Sequence, residues 1–575
     1  MEEKQNEIKN ISIKEVLISN EKKSYNNKKI KNNFILLIFC LIIIVIIILF
    51  YFIQINKGNQ KKIRNKILKE DDNSENKICN EKNCLECDLI KSQCSKCHIG
   101  YKLSNGLCLE NYSFKATYMT KYDHLYVSLI NYKYEKDIIE ISSLDNETIP
   151  ISSAHSFDKS GNHSLYFIMN TSSMNSLRYM FKSSENLISI SFSSSFNTEN
   201  ITDMKGMFYK CTSLYSVENL SNLNTKNVID MGELFFNCSN LASIDLTGLN
   251  TENVKNMSYM FSGCLNLNSL NINYLNTKNV IYMNDMLSFC PLLKSIDFSR
   301  FQTQNVVNMS NMFFESGFER LDLSNFNTEN VTNMVSMFGY NKQLVELYIS
   351  NFDTRNVLDM SLMFYYANKL SSIDISHFNT SKVLNMSFMF TGMSSLTSLT
   401  LNFNTSSVEN MENMFSFCSS LKKLDISKFD THNVKTMFYM FGFCSSLISL
   451  NLSNFDTQNV EKMGCMFTFC TSLEEIDVSN FNTSNVILFD NMFNYCSSLK
   501  ELDLSSFDNT KSHSISNMFT KCDNLHRIDI SGFHLSPKIK LFYFSREKPG
   551  VIIVNKESEE IIKSQVPSNW MVIVK

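Results

Sequence analysis

The sequence predicts an α/β solenoid of strand-turn-helix units with a β-rich N-terminal cap, carried on a single transmembrane helix. Three observations lead there. A motif recurs about every 26 residues through most of the chain. Each copy joins an L-x-x-L-x-[LI] strand pattern to a stripe of apolar residues at three- and four-residue spacing. An uncharged apolar run, Phe34 to Ile53, stands near the start.

The chain has 575 residues and a net charge of -3, so no global basic field points to nucleic acid. Met (30) and Phe (45) supply apolar side chains throughout, against only 15 Gly, 5 Pro and 1 Trp. Residues 1–33 are polar and charged and read as a disordered cytosolic tail. In the run 34–53, about 20 apolar residues suffice to cross a bilayer core as a helix. The run exceeds the roughly 7–15 apolar residues of a cleaved signal peptide and lacks a small-residue cleavage pattern. It therefore reads as an uncleaved signal anchor, followed by a linker over 54–78. Basic residues flank it on both sides, Lys22, Lys23, Lys28, Lys29 and Lys31 before it and Lys57, Lys61, Lys62, Arg64, Lys66 and Lys69 after it. Charge alone does not orient it.

The next segment does. Residues 79–108 hold Cys79, Cys84, Cys87, Cys94, Cys97 and Cys108. A segment this short cannot build a useful core and needs staples. The C-x-x-C pairs Cys84/Cys87 and Cys94/Cys97 have zinc-like spacing. Only six residues separate the pairs, however, and two cysteines are left over. Three disulfides fit the even count better, with the pairing open. The closing run C-x-x-G-Y-x-L-x-x-G-x-C, Cys97 to Cys108, resembles furin-type and growth-factor-receptor cysteine-rich modules. Disulfides need an oxidising compartment, which places the tail inside and everything after the span outside. The expectation is a single-pass plasma-membrane protein with extracellular repeats. Sequons at Asn111, Asn146, Asn162 and Asn170 agree with it as candidate glycosylation sites.

The array runs over 176–533. Aligned on a turn threonine, copies fall at Thr198, Thr225, Thr251, Thr277, Thr303, Thr328, Thr354, Thr380, Thr405, Thr431, Thr457 and Thr483, mostly 26 residues apart. A fixed period in this range marks a leucine-rich-repeat-like solenoid. In one copy, Leu424 and Ile426 face one side of a short strand while Lys423, Asp425 and Ser427 face the other. Phe429 turns inward, and Thr431 fits a helix N-cap. Val434, Met437, Met440, Phe441, Cys444 and Leu447 then line one stripe of a short helix. Stacking buries that face, at roughly 1.5–3 kcal/mol per large side chain.

The consensus F-[ND]-T-x-N-V-x-x-M-x-x-M-F-x-x-C-x-S-L-x-x-L-D-L-S resembles the BspA-type repeats of cell-surface proteins from bacteria, including mycoplasmas, and from parasitic protists. The resemblance implies a surface leucine-rich-repeat protein that binds host or matrix proteins. It carries over no ligand-binding residues.

Cys211, Cys238, Cys264, Cys290, Cys418, Cys444, Cys470, Cys496 and Cys522 share one repeat position, which Ser316, Asn341, Ala367 and Met393 fill elsewhere. A slot open to any modest side chain reads as packing. Helical units about 8–10 Å apart would also hold these thiols beyond disulfide reach. They are expected to be buried and free, and Cys465, outside the column, to be exposed.

On the outward face recur Asp245, Asp297, Asp322, Asp374, Asp425, Asp477, Asp503 and Asp529, interrupted by Asn271, Tyr348, Thr400 and Asn451. In register they form a carboxylate column at about 4.8 Å spacing, which repels itself unless compensated. Hydrogen bonds to neighbouring Ser, Thr or backbone groups are one compensation. Calcium or a basic partner is the other, and makes these residues the candidate binding face. The adjoining column varies (Ser243, Arg320, Glu346, Lys423, Glu475, Arg527), as a protein-binding surface requires.

Residues 109–175 alternate like strands and read as the N-terminal cap. Residues 534–575 read as a C-terminal cap of strand, short helix and a last strand holding Trp570. No P-loop, dinucleotide fingerprint, zinc-protease motif or nucleophile elbow occurs. The expectation is a non-enzyme without a cofactor. It is an adhesin or receptor using the sheet face, a structural coat component without a specific ligand, or an intracellular scaffold if the topology is reversed. Clustered residues on one stretch of the face favour the first and a uniform face the second. The aromatic runs Phe364-Tyr365-Tyr366 and Phe438-Tyr439 lean toward the first.

Overall fold

A computed structural model describes residues 84–88, 93–97, 101–104, 107–144, 147–512, 514–536, 541 and 549–575, with side chains from residue 111 onward. The chain forms two compact units, and the solenoid and both its ends belong to the second, Lys82–Glu86 with Ser95–Lys575. The apolar run 34–53 lies outside the described residues, among which no helix is long and apolar enough to cross a membrane. In the stalk, Cys84–Asp88, Gln93–Cys97, Tyr101–Ser104 and Leu107–Glu110 are strands, the last two an antiparallel hairpin. Its cysteine side chains and Asn146 lie outside what is described.

The array is a β-solenoid of about 14 turns, and its units are not strand-turn-helix. Fourteen residues, from Ser176 through Asp203, Asp230 and Asn256 to Leu488 and Ser514, bridge one another in a continuous parallel ladder. A second parallel ladder forms where [LF]-x-x-L-x-[LI] segments pair, as in Arg320–Asp322 with Glu346–Tyr348 and Ser398–Thr400 with Lys423–Asp425. The segment expected as a helix is instead a pair of tight turns. Tyr439 and Phe443, four residues apart, take left-handed φ of 57° and 61°, and equivalent pairs recur, such as Ser336 with Tyr340 and Asn413 with Phe417.

The hydrogen bonds follow from that geometry. Met440, Gly442 and Cys444 donate to the carbonyls of Met437, Tyr439 and Phe441, three residues back, at 3.0–3.2 Å. The intervening N–H groups, of Met437, Tyr439, Phe441 and Phe443, donate to the next turn at Lys462, Gly464, Met466 and Thr468, at 2.7–3.0 Å. An α-helix would spend the N–H groups beyond its first turn inside its own segment. It would also need about 8–10 Å between neighbouring axes, whereas backbone-bridged turns stack at about 4.8 Å. The paired turns are thin enough to keep both sides of the coil at strand spacing. The three- and four-residue periodicity is real, but left-handed residues generate it.

Non-glycine residues in that conformation cost roughly 1–2 kcal/mol each, which the ladder bonds offset. Glu315, exposed at φ 51°, is a site where the cost can be relieved. Glu315→Gly is expected to stabilise the protein by about 0.5–1 kcal/mol once glycine's greater unfolded-state entropy is subtracted. The urea midpoint checks this; a fall would mean that the carboxylate stabilises more than the strain costs.

Inside the coil, side chains stack on their own copies. Phe208, Phe235 and Phe261, and then Phe313 through Phe338, Phe364, Phe390, Phe415, Phe441, Phe467 and Phe493, lie nearly parallel with centroids 5.3–5.9 Å apart. The motif threonines are buried but do not cap helices. Thr328 Oγ1 donates to the Asp353 carbonyl at 2.9 Å and accepts from the Asp353 N–H at 2.7 Å. Thr303 and Thr405 clamp Asn327 and Asp430 in the same way. The Asn of T-x-N-V forms a further ladder, as when Asn279 and Asn356 donate to Glu252 and Glu329 carbonyls one turn back.

Both ends are closed. Leu187–Phe192 pairs parallel with the solenoid strand Ser216–Glu218 and antiparallel with Phe114–Thr120, which continues into an antiparallel sheet through Gly161–Met169 and Ile138–Ser143. Alternate residues Phe114, Ala116 and Tyr118 of this cap are buried. At the other end Gly550–Val554 and Trp570–Val574 extend the sheet in parallel beyond Arg527–Asp529, with the helix Glu559–Lys563 between them.

Candidate functional site

The strand face is built by alternation. In Lys423–Asp425 and Glu501–Asp503 the outer residues are exposed, while the leucine between them points into the coil. The eight aspartates recur on this face, Asp322, Asp425, Asp503 and Asp529 each ending a strand and Asp245, Asp297, Asp374 and Asp477 standing at the same repeat position outside the strands. Each carboxylate accepts the backbone N–H two residues on, as Asp245 does from Thr247 at 2.9 Å and Asp477 from Ser479 at 3.0 Å. Asp297, Asp322, Asp374, Asp425, Asp503 and Asp529 repeat the bond with their own serines.

These hydrogen bonds hold Asp245, Asp322, Asp374, Asp425 and Asp477 below the usual carboxylate range. Asp297 falls to about 2, chiefly because the Asn273 amide donates to it as well. For Asp529 burial acts upward, but Lys575 Nζ at 2.5 Å and Ser531 outweigh it and the net shift is down. No group of three or more His, Cys, Asp or Glu placed to hold a metal occurs among the described residues.

The face is not uniform along its length. Ser243, Asn268, Asn271 and Ser295 with Asp297 line a largely neutral cleft of about 590 Å³. Further along, Lys294 pairs with Glu319 at 2.9 Å and Arg320 with Glu346 at 3.3 Å, with Arg320 lying over the Tyr348 ring. Toward the C-terminus, Ser449, Asn451, Glu475, Asp477, Glu501 and Asp503 line a cleft of about 600 Å³. Arg527 there sits 3.9 Å from Glu501 and offsets part of the negative charge. The charge distinguishing this stretch comes from Glu475 and Glu501, in the variable column, together with Asp477, Asp503 and Asp529, where the other cleft has Asp297 alone.

The repeat cysteines, Cys211 to Cys522, are free and buried, although the turns stack closer than helical units would. Each Sγ–H donates to a carbonyl of the preceding turn, as Cys444 does to Phe415 at 3.1 Å. Ser316 and Asn341 make the same bond from the same slot. Cys465 is not exposed, at 7 %; its place on the tight turn puts its thiol against Asp490 of the next turn. Burial pushes Cys290, Cys418, Cys470 and Cys522 up to about 12. Iodoacetamide at about pH 8, where exposed thiols ionise appreciably, is expected to leave all ten of these cysteines unlabelled in the native protein. It should label all of them after denaturation, as peptide mapping reads. Native labelling of the column would show turns opening. Of the candidate glycosylation sites, Asn111, Asn162 and Asn170 are exposed.

A family described as "Mycoplasma protein of unknown function, DUF285" matches seven overlapping stretches running without a gap from residue 152 to 544. No curated protein matches. Among solved structures, a leucine-rich repeat protein from Bacteroides ovatus is 16% identical, over 65% of this chain and 88% of its own, with a TM-score of 0.31. One from Eubacterium ventriosum is 16% identical, over 63% and 93%, with a TM-score of 0.30.

Proposed function

The chain belongs to the family described as Mycoplasma protein of unknown function, DUF285, and from there we propose that its solenoid is a cell-surface binding array. The acidic stretch of its sheet face takes a basic segment of a partner protein. The carrying observation is the concentration of Glu475, Asp477, Glu501 and Asp503 in one cleft, against a cleft with a single carboxylate, Asp297, elsewhere on the same face. A coat component with no specific ligand has no use for such a difference. Complementary charge steers a partner and fixes its register more than it adds raw affinity. The rigid ladder presents these side chains without a backbone ordering cost. Surface placement rests on the apolar run 34–53, the cysteine-rich stalk and the resemblance to BspA-type repeats. No reaction is proposed for this face.

Binding of the full chain to a panel of extracellular host and matrix proteins tests this. The expected partner binds more weakly as salt rises and is lost when Glu475 and Glu501 are both changed to Lys. Binding untouched by that reversal would overturn the acidic site, and no binding to any member would favour the coat. Biotin labelling of intact cells tests the placement: protection of the repeats would overturn it.

A further inference from the structure

A second aromatic ladder runs along the outside of the tight turns, one residue before the cysteine column. Phe417, Phe443, Phe469 and Tyr495 all take the left-handed conformation and stack with centroids 4.3, 4.5 and 4.2 Å apart. At the same repeat position Tyr340 and Tyr366 stack at 5.5 Å. Between Tyr366 and Phe417 the rung is Gly392, at φ 75°. The ladder is interrupted there, and a cleft of about 320 Å³ opens at the break and runs on beside Phe443 and Phe469. We propose that this break is a binding site for a neutral, hydroxylated ring, a sugar unit of a glycan.

Three features converge on that chemistry. Phe417 is covered on one face by Phe443; its other face looks toward a turn that carries no side chain, and the residue is 38 % exposed. Tyr366 leans over Gly392 so closely that a Cβ there would meet its ring carbons at 2.7–3.0 Å. The gap therefore cannot be filled from within without moving that wall. Tyr366 and Phe417 are two turns apart, roughly 9–10 Å at strand spacing, and Tyr366 leans into that interval, so the two rings form the walls at the break.

The polar groups are uncharged, and two are uncommitted. Ser445, Thr471 and Ser497 each donate a hydroxyl to the preceding turn's carbonyl. Ser394 and Ser419, in the same column and lining the cleft, make no side-chain hydrogen bond among the described residues. Asn368, with its amide nitrogen turned toward the carbonyls of Tyr366 and Gly392, donates to both at 2.8 and 2.9 Å and fixes the rim. No charged side chain lines the cleft. A pyranose offers C–H groups for the aromatic wall and hydroxyls for the two serines. An inserted aromatic side chain would satisfy the wall but leave the serines unused. The volume lies at the lower end of the roughly 300–1,000 Å³ of small-ligand sites, enough for one or two sugar units. The site occupies a different repeat position from the strand face and does not depend on the protein-binding reading.

An array of neutral oligosaccharides probed with the full chain, then titration of the retained sugars, tests the proposal. Retention of neutral oligosaccharides is expected, with affinity falling at least about tenfold in Phe417→Ser and in the double variant Ser394→Ala/Ser419→Ala. Tyr495→Ser removes an equally exposed rung (37 %) outside the cleft and is expected to bind like the parent. It also controls for damage to the ladder. Failure to retain any neutral sugar overturns the proposal, as does binding unchanged by Phe417→Ser. So does the finding that Trp- or Tyr-containing peptides, and not sugars, compete for Phe417. The charge reversal at Glu475 and Glu501 should leave sugar binding unchanged, so this site and the acidic face fail separately.

Discussion

Thr328→Val is expected to destabilise the array by about 2–5 kcal/mol, although it changes almost no volume. Thr328 is fully buried and its hydroxyl both donates to the Asp353 carbonyl and accepts from the Asp353 N–H. Valine removes both bonds and leaves a backbone donor and acceptor without their partner at a part-buried position. An unsatisfied buried group costs roughly 1–3 kcal/mol. Thr328→Ser keeps the hydroxyl and loses one methyl, worth about 0.8 kcal/mol. The measurements are the urea midpoint and amide exchange at Asp353, which should accelerate in the valine variant and stay protected in the serine one. A valine variant as stable as the parent would show that the hydroxyl column adds nothing net.

That threonine also shows what the sequence made legible. Its period of about 26 residues located twelve of the roughly fourteen turns, and the L-x-x-L-x-L alternation separated the outward aspartates from the buried leucines. Its role did not follow, because N-cap and inter-turn clamp both call for a small hydroxyl residue ahead of N-V-x-x-M. The same ambiguity produced the helix expectation. Met437, Met440, Phe441 and Cys444 fall at helical intervals whether the backbone is helical or turns twice through left-handed residues. Tyr439 and Phe443, which make the difference, are residue types that rarely announce that conformation. The signal available was the spacing between units. Segments with a fixed length and few good helix formers, linked to strands stacked at about 4.8 Å, can hold an α-helix on the other side only by curving into a horseshoe.

The candidate site was legible in part. The aspartate column was visible, and so was the hydrogen bonding that compensates it, since Ser or Thr usually stands two residues on. The concentration of charge at Glu475 and Glu501 lay in the column set aside as variable, where a difference between copies carries the information and periodicity hides it. The outer aromatic ladder was equally visible, as Phe417, Phe443, Phe469 and Tyr495 each precede a cysteine. Only the structure shows that these rings stack and that Gly392 interrupts them.

Phe390→Ala is expected to cost about 3–5 kcal/mol, the usual penalty for emptying a buried aromatic site. Phe390 is fully buried, stacked on Phe364 at 5.7 Å and on Phe415 at 5.5 Å. In a solenoid each turn touches only its neighbours, so stability is approximately a sum of turn and interface terms. One substitution weakens two interfaces at once and has no distant contacts to redistribute the loss. Unfolding in urea should therefore split into two phases, with the turns before and after residue 390 melting separately. The array supplies its own control: Leu287 occupies this position between Phe261 and Phe313 and is fully buried. Phe390→Leu is accordingly expected to cost under about 2 kcal/mol and to keep a single transition. If the alanine variant also melted in one step with little loss, the inner ring stack would not be what couples one turn to the next. The hydrogen-bonded ladders of Thr, Asn and backbone would then carry that coupling alone.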